Sequence, residues 1–393
     1  MQSRLNYDMY VPTRTLFGAG QLNELHKQPM PGKKALLVLS NGKSAKTNGT
    51  LARVEEQLRL AGIDFVLFDK IEPNPLKPTV ELGGKIAKEN GCDFIVALGG
   101  GSCMDASKGI AAMAVNDGDL WDYVFFGTGK GKPLSNKPIP IVAITTTAGT
   151  GSETDAGAVI TNPETNEKTA FFSPDCFPVL AIVDPELMLT VPPKFTAYQG
   201  FDALFHSTEG FISGSANLMS DMYAMSVIEN IARYLPIAVR DGANLEARTH
   251  VAWTNTLSGT VMCVGSCTSE HSLEHALSAY HQELPHGAGL IIISKAYYTY
   301  FIQNHACDDR FIRMAQIMGR PNASDPMEFI DALSKLQEDC GVADLKMSDY
   351  GITPDEFEKF AANARSAMGF LFPADRTPLS DADIVEIYRQ SYR

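Results

Sequence analysis

Short apolar runs alternate with amphipathic segments in the first half of the chain, and this pattern predicts strands that alternate with helices. The predicted strands are residues 35–39, 65–68, 94–98, 139–144 and 181–183, and the predicted helices are residues 51–60, 79–90 and the segment after Ser102. This alternation indicates a mainly parallel sheet that is covered on both faces. An extended, hairpin-like segment over 7–17 precedes it, and Pro12 favours an edge strand there.

After residue 190 the periodicity is almost entirely helical. Helices are predicted over 194–212, 219–234, 245–261, 266–280, 290–301, 308–318, 326–340, 354–367 and 381–392. The sequence therefore predicts an α/β domain over 1–190, followed by an all-α domain over 191–393.

Composition narrows the function classes. The chain has 393 residues, 45% hydrophobic and 20% charged, which is typical of a globular protein with two or more domains. Its net charge of −13, without long Lys/Arg runs, argues against nucleic acid and anionic lipid as partners. No apolar run approaches the ~18 residues of a membrane span, and the N-terminus lacks a signal core.

The seven cysteines are scattered and contain no C-x-x-C, which indicates reduced thiols and a cytoplasmic protein. Cys263 and Cys267 share a helical spacing just before a cluster of histidines. They are interpreted as core residues, with a metal role as the alternative.

The histidine cluster spans residues 271–286. His271 and His275 are four residues apart, on one face of a predicted helix, and His286 follows Pro285 at a turn. Asp202 and His206 share a helix face in the same way. Asp202, His206, His271 and His286 offer one carboxylate and three imidazoles, a set that suits divalent Fe, Zn, Co or Ni.

A second interpretation of the same cluster is a metalloprotease. The segment H-S-L-E-H at 271–275 matches the inverted zinc-protease motif H-x-x-E-H, with Glu274 as the general base. A pattern of five residues has low specificity, so the N-terminal half has to distinguish the two interpretations.

Two loops in that half follow predicted strands. Residues 99–102 (G-G-G-S) lead straight into a helix, where backbone N–H groups can bind phosphate, although a tight turn explains the glycines equally well. Residues 145–153 (T-T-T-A-G-T-G-S-E) suit contacts to phosphate, ribose or nicotinamide. Loops at the carboxyl ends of parallel strands commonly bind nucleotides. A nucleotide domain joined to a metal domain suggests a redox enzyme with its active site between the domains.

Seven motifs, in order along nearly the whole chain, resemble the iron-dependent alcohol dehydrogenases, a family related in fold to dehydroquinate synthase and glycerol dehydrogenase. They are F-G-A-G (17–20), G-G-G-S-x-x-D (99–105), T-T-x-G-T-G-S-E (146–153), D-P-E-L (184–187), G-F-D-A-L-F-H (200–206), H-x-x-x-H (271–275) and P-H-G (285–287). The resemblance implies an NAD(P)-linked, metal-dependent alcohol dehydrogenase or aldehyde reductase, with Fe²⁺ favoured and Zn²⁺ as the alternative. A metalloprotease does not require the loops 99–102 and 145–153, so these loops argue against that interpretation. A non-catalytic nucleotide-binding protein remains an alternative, and it would bind metal without dehydrogenase activity.

The resemblance also implies roles for single residues. It implies metal ligands at Asp202, His206, His271 and His286, and it places His275 beside the metal and the nicotinamide, where we expect it to relay a proton. It implies a pyrophosphate site at Gly100, Gly101 and Ser102, with Asp105 close to the cofactor. Further cofactor contacts are implied for Asn74, Thr146, Thr147, Thr150, Lys168 and Leu187. The spacing from His275 to His286 is a residue longer than in many members, which leaves the shape of the loop around His281 open.

The loop after the strand at 35–39 bears on the choice of cofactor. NAD-preferring members of the family often carry an aspartate at the position that Gly42 occupies here. Gly42 leaves room for a 2′-phosphate, Ser44 offers a donor, and Lys43 and Lys46 offer positive charge. The sequence therefore predicts a preference for NADP(H) over NAD(H).

The substrate and the assembly are predicted less specifically. A small alcohol or aldehyde is expected, and Met262 falls where the family has a substrate-facing side chain. A homodimer or higher homo-oligomer is expected, because the segment 7–17 would leave an exposed edge unless it is paired and family members commonly pair such strands between subunits.

Overall fold

The computed structural model describes residues 3–393 and divides into two compact units. The α/β unit is Val11–Thr190, and the helical unit is Val191–Arg393 together with the described residues up to Tyr10. The sequence prediction had assigned this N-terminal segment to the α/β domain. Its backbone instead bonds to the helical unit, where Arg4 N–H donates to the Ala216 carbonyl at 2.9 Å.

One parallel sheet of six strands forms the centre of the α/β unit, in the order β1-β8-β5-β4-β2-β3. Alternate residues of β2 pack into two hydrophobic cores, Leu36 and Val38 into one, Leu37 and Leu39 into the other. Both faces of the sheet are therefore covered, as predicted. The strands are β1 Arg14–Phe17, β2 Lys34–Ser40, β3 Asp64–Ile71, β4 Phe94–Gly99, β5 Ile141–Thr145, β6 Gly157–Asn162, β7 Glu167–Phe172 and β8 Leu180–Val183.

Three helices of this unit lie close to the predicted bounds: α2 Thr50–Leu60, α3 Lys77–Glu89 and α4 Gly101–Met113. A short helix that was not predicted, α1 Ser44–Thr47, lies between β2 and α2. Helix α4 follows β4 directly and is buried along most of its length. It therefore begins at the carboxyl end of a central strand, where parallel sheets commonly bind ligands.

The hairpin-like interpretation of 7–17 is wrong. Only Arg14–Phe17 forms a strand, and it pairs in parallel with β8, so no hairpin turn is involved. Asp184, directly after β8, accepts hydrogen bonds from the N–H groups of Gly20 and Leu22, both at 3.1 Å. These bonds tie the chain after β1 to the end of β8. The partners are more than 160 residues apart, so no local pattern predicts the contact.

An antiparallel hairpin, β6 paired with β7, is absent from the elements predicted from the sequence. Polar residues such as Thr161 and Lys168 are buried there, so the usual alternation of apolar and polar positions is absent. The turn between the strands places Asn166 at φ 52°, a left-handed conformation that asparagine tolerates.

The helical unit contains α5 Pro193–Ile212, α6 Leu218–Arg240, α7 Leu245–Val264, α8 Ser269–Tyr280, α9 His286–Gln303, α10 Asp308–Ile317, α11 Glu328–Asp339, α12 Phe357–Met368 and α13 Asp381–Ser391. Helix α6 continues past its predicted end, with Pro236 buried inside it. Packing sustains this part of α6: a Cβ on Gly200 of α5 would lie 2.3 Å from Leu235 Cδ1. Among the described helices, none has the length and apolar character to cross a membrane.

Asp184→Ala should destabilise the α/β unit. The Asp184 side chain is fully buried and also caps the N–H of Glu186 at 3.0 Å, so its loss leaves three backbone donors without their acceptor. We expect the free energy of unfolding to fall by about 2–4 kcal/mol, measured by urea titration with far-UV circular dichroism. Glu186→Ala, at an exposed neighbour, is the control and should change it by less than ~0.5 kcal/mol. Equal stabilities for the two variants would contradict this account.

Candidate metal centre and cofactor loops

Three helices of the helical unit bring four side chains together. Asp202 and His206 lie one turn apart on α5, His271 lies in the first turn of α8, and His286 is the first residue of α9. The Asp202 Oδ1 atom lies 3.5 Å from His206 Nδ1, 3.6 Å from His271 Nε2 and 3.6 Å from His286 Nε2. The four residues singled out from the sequence therefore converge on one point.

The spacing of these atoms fits a metal ion. Metal–ligand bonds of about 2.1 Å in a tetrahedral site place neighbouring ligand atoms about 3.4 Å apart, close to the separations observed. Asp202 Oδ1 and His271 Nε2 are buried and have no hydrogen-bond partner. One carboxylate with three imidazoles is a donor set that suits Fe²⁺ or Zn²⁺, so the residues present fit such an ion.

The electrostatics of this cluster also favour a cation. Burial favours the neutral acid, but the charges of the neighbouring His206, His271 and His286 imidazoles lower the pKa of Asp202 to about 2. Burial likewise disfavours the charged imidazole, yet the carboxylates of Glu209 and Asp202 raise the pKa of His271 to about 10. Both shifts show that the buried carboxylates stabilise positive charge at this point.

Two further carboxylates orient the imidazoles. Glu209 accepts a hydrogen bond from His271 Nδ1, and Glu274 accepts one from His286 Nδ1. Both glutamates are fully buried. A carboxylate on one ring nitrogen fixes the ring and directs the other nitrogen towards a metal, which here leaves Nε2 of both rings facing Asp202 Oδ1.

Helix α8 also stabilises Glu209 through its N-terminus. Thr268, the residue before α8, donates to Glu209 through its N–H at 2.9 Å and its Oγ1 at 3.1 Å. Glu209 is not among the residues predicted from the sequence, and Glu274 is predicted there only as a protease base. Their position was a usable signal, because each lies three residues after a candidate ligand, on the same helix face.

Glycines allow α9 to approach the other two helices. A Cβ on Gly287 would lie 2.2 Å from the Tyr198 carbonyl oxygen, and one on Gly289 would lie 2.7 Å from Glu274 Cγ. Only glycine permits this contact with the α5 backbone. The glycine of the P-H-G motif therefore has a packing role, since it lets His286 reach the ligands on α5.

His275 lies beside the four candidate ligands. It is buried, and its ring centroid lies 5.2 Å from that of His286 and 6.1 Å from that of His271. Glu274, His275 and His286 each bring one ligand-type atom within 4.8 Å of the others. His275 is thus close enough to the four candidate ligands to exchange protons there. The same closeness is compatible with a role as a ligand, which a variant of His275 can test.

The loop around His281, whose shape the sequence left open, is anchored to another part of the helical unit. His281 Nε2 lies 3.1 Å from both carboxylate oxygens of Glu356, and its Nδ1 lies 3.2 Å from the Tyr350 carbonyl oxygen. Burial opposes ionisation, but hydrogen bonds, the strongest from Lys359, lower the pKa of Glu356 to about 2. The longer spacing is accommodated by a fixed turn between α8 and α9.

In the α/β unit, the two predicted cofactor loops pack against each other. Gly100 precedes α4, and Gly101 and Ser102 are its first residues. A Cβ on Gly100 would lie 2.5 Å from Thr147 Oγ1, and one on Gly101 would lie 2.3 Å from Thr150 Cγ2. The glycines are therefore required by the threonine loop itself, in addition to any ligand that approaches the start of α4.

Asp105 connects α4 to the end of the threonine loop. It accepts hydrogen bonds from Ser152 Oγ at 2.6 Å and from the Val159 N–H at 2.8 Å. Buried Lys108 donates to Ser152 Oγ and to Asp155 Oδ1, both at 2.7 Å. Burial raises the pKa of Asp105 to about 6, against the lowering effect of Lys108. Ser152 lies within the predicted loop 145–153, but Lys108 and Asp155 are not among the residues predicted from the sequence. A lysine within an apolar helix gives no periodic signal, and Asp155 lies just after the loop.

The other residues predicted to contact the cofactor lie on separate loops and strands of the α/β unit. Asn74 lies between β3 and α3 at φ 55°, Lys168 is buried on β7, Leu187 is buried in the core after β8, and Thr146 donates its N–H to the Gly99 carbonyl at 3.0 Å. Gly42, Lys43 and Ser44 are exposed after β2. Lys46 Nζ lies 2.5 Å from Asp69 Oδ2, so the charge of Lys46, assigned from the sequence to a cofactor phosphate, is paired with Asp69.

Comparison with known proteins identifies matches over both units. The family model described as iron-containing alcohol dehydrogenase matches residues 12–185, and the model for the C-terminal part of the same family matches residues 196–392. Together they cover nearly the whole chain, including every candidate ligand and both glycine-containing loops.

Individual relatives agree with this match. The chain is 35% identical to a 1,3-propanediol dehydrogenase of Citrobacter freundii, over 98% of this chain and 99% of the relative. It is 32% identical to an NADH-dependent butanol dehydrogenase A of Clostridium acetobutylicum, over 99% and 100%. The crystal structure of an archaeal halo-thermophilic alcohol dehydrogenase from a Red Sea brine pool matches with a TM-score of 0.94 at 32% identity, covering 99% of this chain and 100% of that one.

Proposed function

The chain belongs to the iron-containing alcohol dehydrogenase family, and from this membership we propose that it transfers hydride reversibly between a small alcohol and a nicotinamide cofactor. The observation that carries the proposal is the convergence of three histidine nitrogens on Asp202 Oδ1 within 3.6 Å. Fe²⁺ bound there would act as a Lewis acid on the substrate oxygen. The protease alternative loses its general base, because Glu274 is buried and already accepts a hydrogen bond from His286.

The residues of the chain itself have distinct tasks in this proposal. Glu209 and Glu274 hold the rings of His271 and His286 in orientation. The N–H groups at the start of α4, around Gly101, bind the cofactor pyrophosphate. His275 moves the alcohol proton to or from solvent, as a buried imidazole beside the ligands.

The substrate we propose is a short aliphatic alcohol or the corresponding aldehyde. An apolar cluster of Cys267, Met368 and Leu371, packed against Met262 and Phe370, adjoins the donor set, since Cys267 lies near His206 and His271. Such a surface suits a short carbon chain, and the names of the propanediol and butanol dehydrogenase relatives agree with it.

The test of the function is a panel of alcohols and aldehydes of two to six carbons, assayed after purification without oxygen and reconstitution with Fe²⁺. We expect turnover with one or more short-chain members. Tight metal binding without turnover on any member, with either cofactor, would instead favour the non-catalytic nucleotide-binding alternative.

Asp202→Ala and His271→Ala should each abolish metal retention and turnover. Removing one of four ligands leaves an incomplete and weakly held site. Elemental analysis of desalted protein gives the metal content, and initial rates give the activity. His305→Ala, at an exposed histidine, is the matched control and should retain both. Stoichiometric metal and near-normal rates in either ligand variant would refute the assignment.

His275→Ala should retain the metal but lower turnover by roughly 10²-fold, the contribution of a general acid–base group. Metal content and kcat are measured on the same sample, and added imidazole should restore part of the rate. Loss of the metal would show that His275 is a ligand, and unchanged turnover would remove it from the mechanism.

We also propose that the chain prefers NADP(H). The butanol dehydrogenase relative is named for NADH, so this preference rests on the loop after β2 in this chain. Gly42 is exposed and lacks the acidic side chain that repels a 2′-phosphate, and exposed Lys43 and Ser44 follow it. Because Lys46 is paired with Asp69, the proposal relies on Lys43 for positive charge.

Gly42→Asp should reverse the cofactor preference. The new carboxylate fits, since a Cβ at this position meets only Ser40 Oγ, at 3.4 Å. Repulsion of the 2′-phosphate should lower kcat/KM for NADP(H) by about tenfold. Gly42→Asn, which has the same shape without the charge, is the control and should lose much less. A wild type that already favours NAD(H) would refute the proposal.

We propose a homodimer, or a higher oligomer built on dimers. Residues 4–10 are all exposed, and Leu5, Tyr7, Met9 and Tyr10 present 76%, 47%, 38% and 62% of their surface to solvent. An extended segment of this kind is typically covered by a partner strand. Light scattering at micromolar concentration should give at least a dimer mass. Met9→Lys should shift the mass towards the monomer, while Leu60→Lys, at an exposed site on α2, should not. A monomeric wild type would contradict the proposal.

A further inference from the structure

Cys267 lies beside the four-residue donor set but is not part of it. It lies two residues before α8 and is 8% exposed. Its Sγ and one ring nitrogen each of His206 and His271 all lie within 4.8 Å of one another. A thiol is therefore adjacent to two of the candidate ligands of the metal centre.

The three ligand atoms lie within 4.8 Å of one another. Bonds of about 2.3 Å to sulfur and about 2.1 Å to nitrogen place the two ligand atoms of a tetrahedral site about 3.6 Å apart. Rotation of the cysteine side chain about its Cα–Cβ bond would bring the sulfur to that distance. His206 and His271 stack with ring centroids 4.3 Å apart and 19° between their planes, and thus form a compact pair next to the thiol.

Core packing is the simpler interpretation of Cys267. The side chain belongs to an apolar cluster with Met368 and Leu371, and this explains its burial. It does not explain why the sulfur lies at the edge of a cluster of buried imidazoles, where Nε2 of His271 has no hydrogen-bond partner. A thiolate is a softer ligand than a carboxylate and favours zinc and related ions.

We propose that His206, Cys267 and His271 form a second coordination set, which borderline-soft ions such as Zn²⁺ and Co²⁺ engage through the Cys267 thiolate. The thiol proton passes to solvent when the ion binds. Fe²⁺ is held by the set that contains Asp202 and His286, so the two sets distinguish ions by ligand softness. This inference rests on the proposed metal centre.

The test uses the full-length chain, stripped with a chelator and reloaded without oxygen with one equivalent of Co²⁺. Visible d–d bands report that Co²⁺ is bound, and a near-ultraviolet thiolate-to-cobalt charge-transfer band reports a cysteine ligand. We expect both signals in the wild type. Cys267→Ser should lose the charge-transfer band and keep the d–d bands. Cys263→Ser, at a partly exposed cysteine four residues upstream, is the matched control and should keep both.

The outcomes separate this inference from the proposed centre. Visible bands without charge transfer in the wild type would overturn the role of Cys267 and leave the centre intact, whereas failure to bind Co²⁺ would overturn both. A charge-transfer band that persists in Cys267→Ser would assign the thiolate to another residue. In chelator competition, Cys267→Ser and Cys267→Ala should both weaken Zn²⁺ binding by at least about tenfold, with circular dichroism to verify folding. Unchanged Zn²⁺ affinity in both variants would also overturn the proposal.

Discussion

The helical unit depends on the pairing of buried carboxylates with buried imidazoles. An isolated ionised carboxylate in a protein interior costs several kcal/mol, and this unit buries Asp202 and Glu209 on α5 and Glu274 on α8. Each is compensated by histidine: Asp202 lies near three imidazoles, and each glutamate accepts from one ring. The arrangement has an excess of acidic groups at its centre, and a divalent cation bound there would balance their negative charge.

The backbone approach of α9 follows from this requirement. His286 has to reach both Asp202 on α5 and Glu274 on α8, and side chains on the first turn of α9 would prevent it. Gly287 and Gly289 remove those side chains where the Tyr198 carbonyl and the Glu274 side chain lie. The two glycines of α9 therefore serve both the close packing of the helices and the assembly of the donor set. The contact between His281 and Glu356 holds the turn that leads into α9.

In the α/β unit, glycines and a buried ion pair shape the two predicted cofactor loops. Gly100 and Gly101 are required because Thr147 and Thr150 occupy the space beside them, so the two loops form one surface at the start of α4. Behind that surface, Lys108 compensates Asp155 and shares Ser152 with Asp105. Lys108 is buried and also donates to the Gly157 carbonyl, so these hydrogen bonds rigidify the loops. A rigid loop presents its N–H groups to a phosphate at little entropic cost.

The sequence determined the features that depend on local order: the strands and helices with regular periodicity, the parallel sheet, the helical second half and the four residues Asp202, His206, His271 and His286. These could be predicted because helical spacing places i and i+4 residues on one face and because parallel strands bring their carboxyl ends to one edge. Tertiary structure alone decided the parallel pairing of β1 with β8, the buried polar hairpin β6–β7 and which imidazole Glu209 and Glu274 each contact. It also decided that Lys46 pairs with Asp69 and that Cys267 lies beside two imidazoles. In each case the partners are far apart in sequence or belong to separate elements, so no local period encodes the contact, and only the packed chain brings the groups within bonding distance.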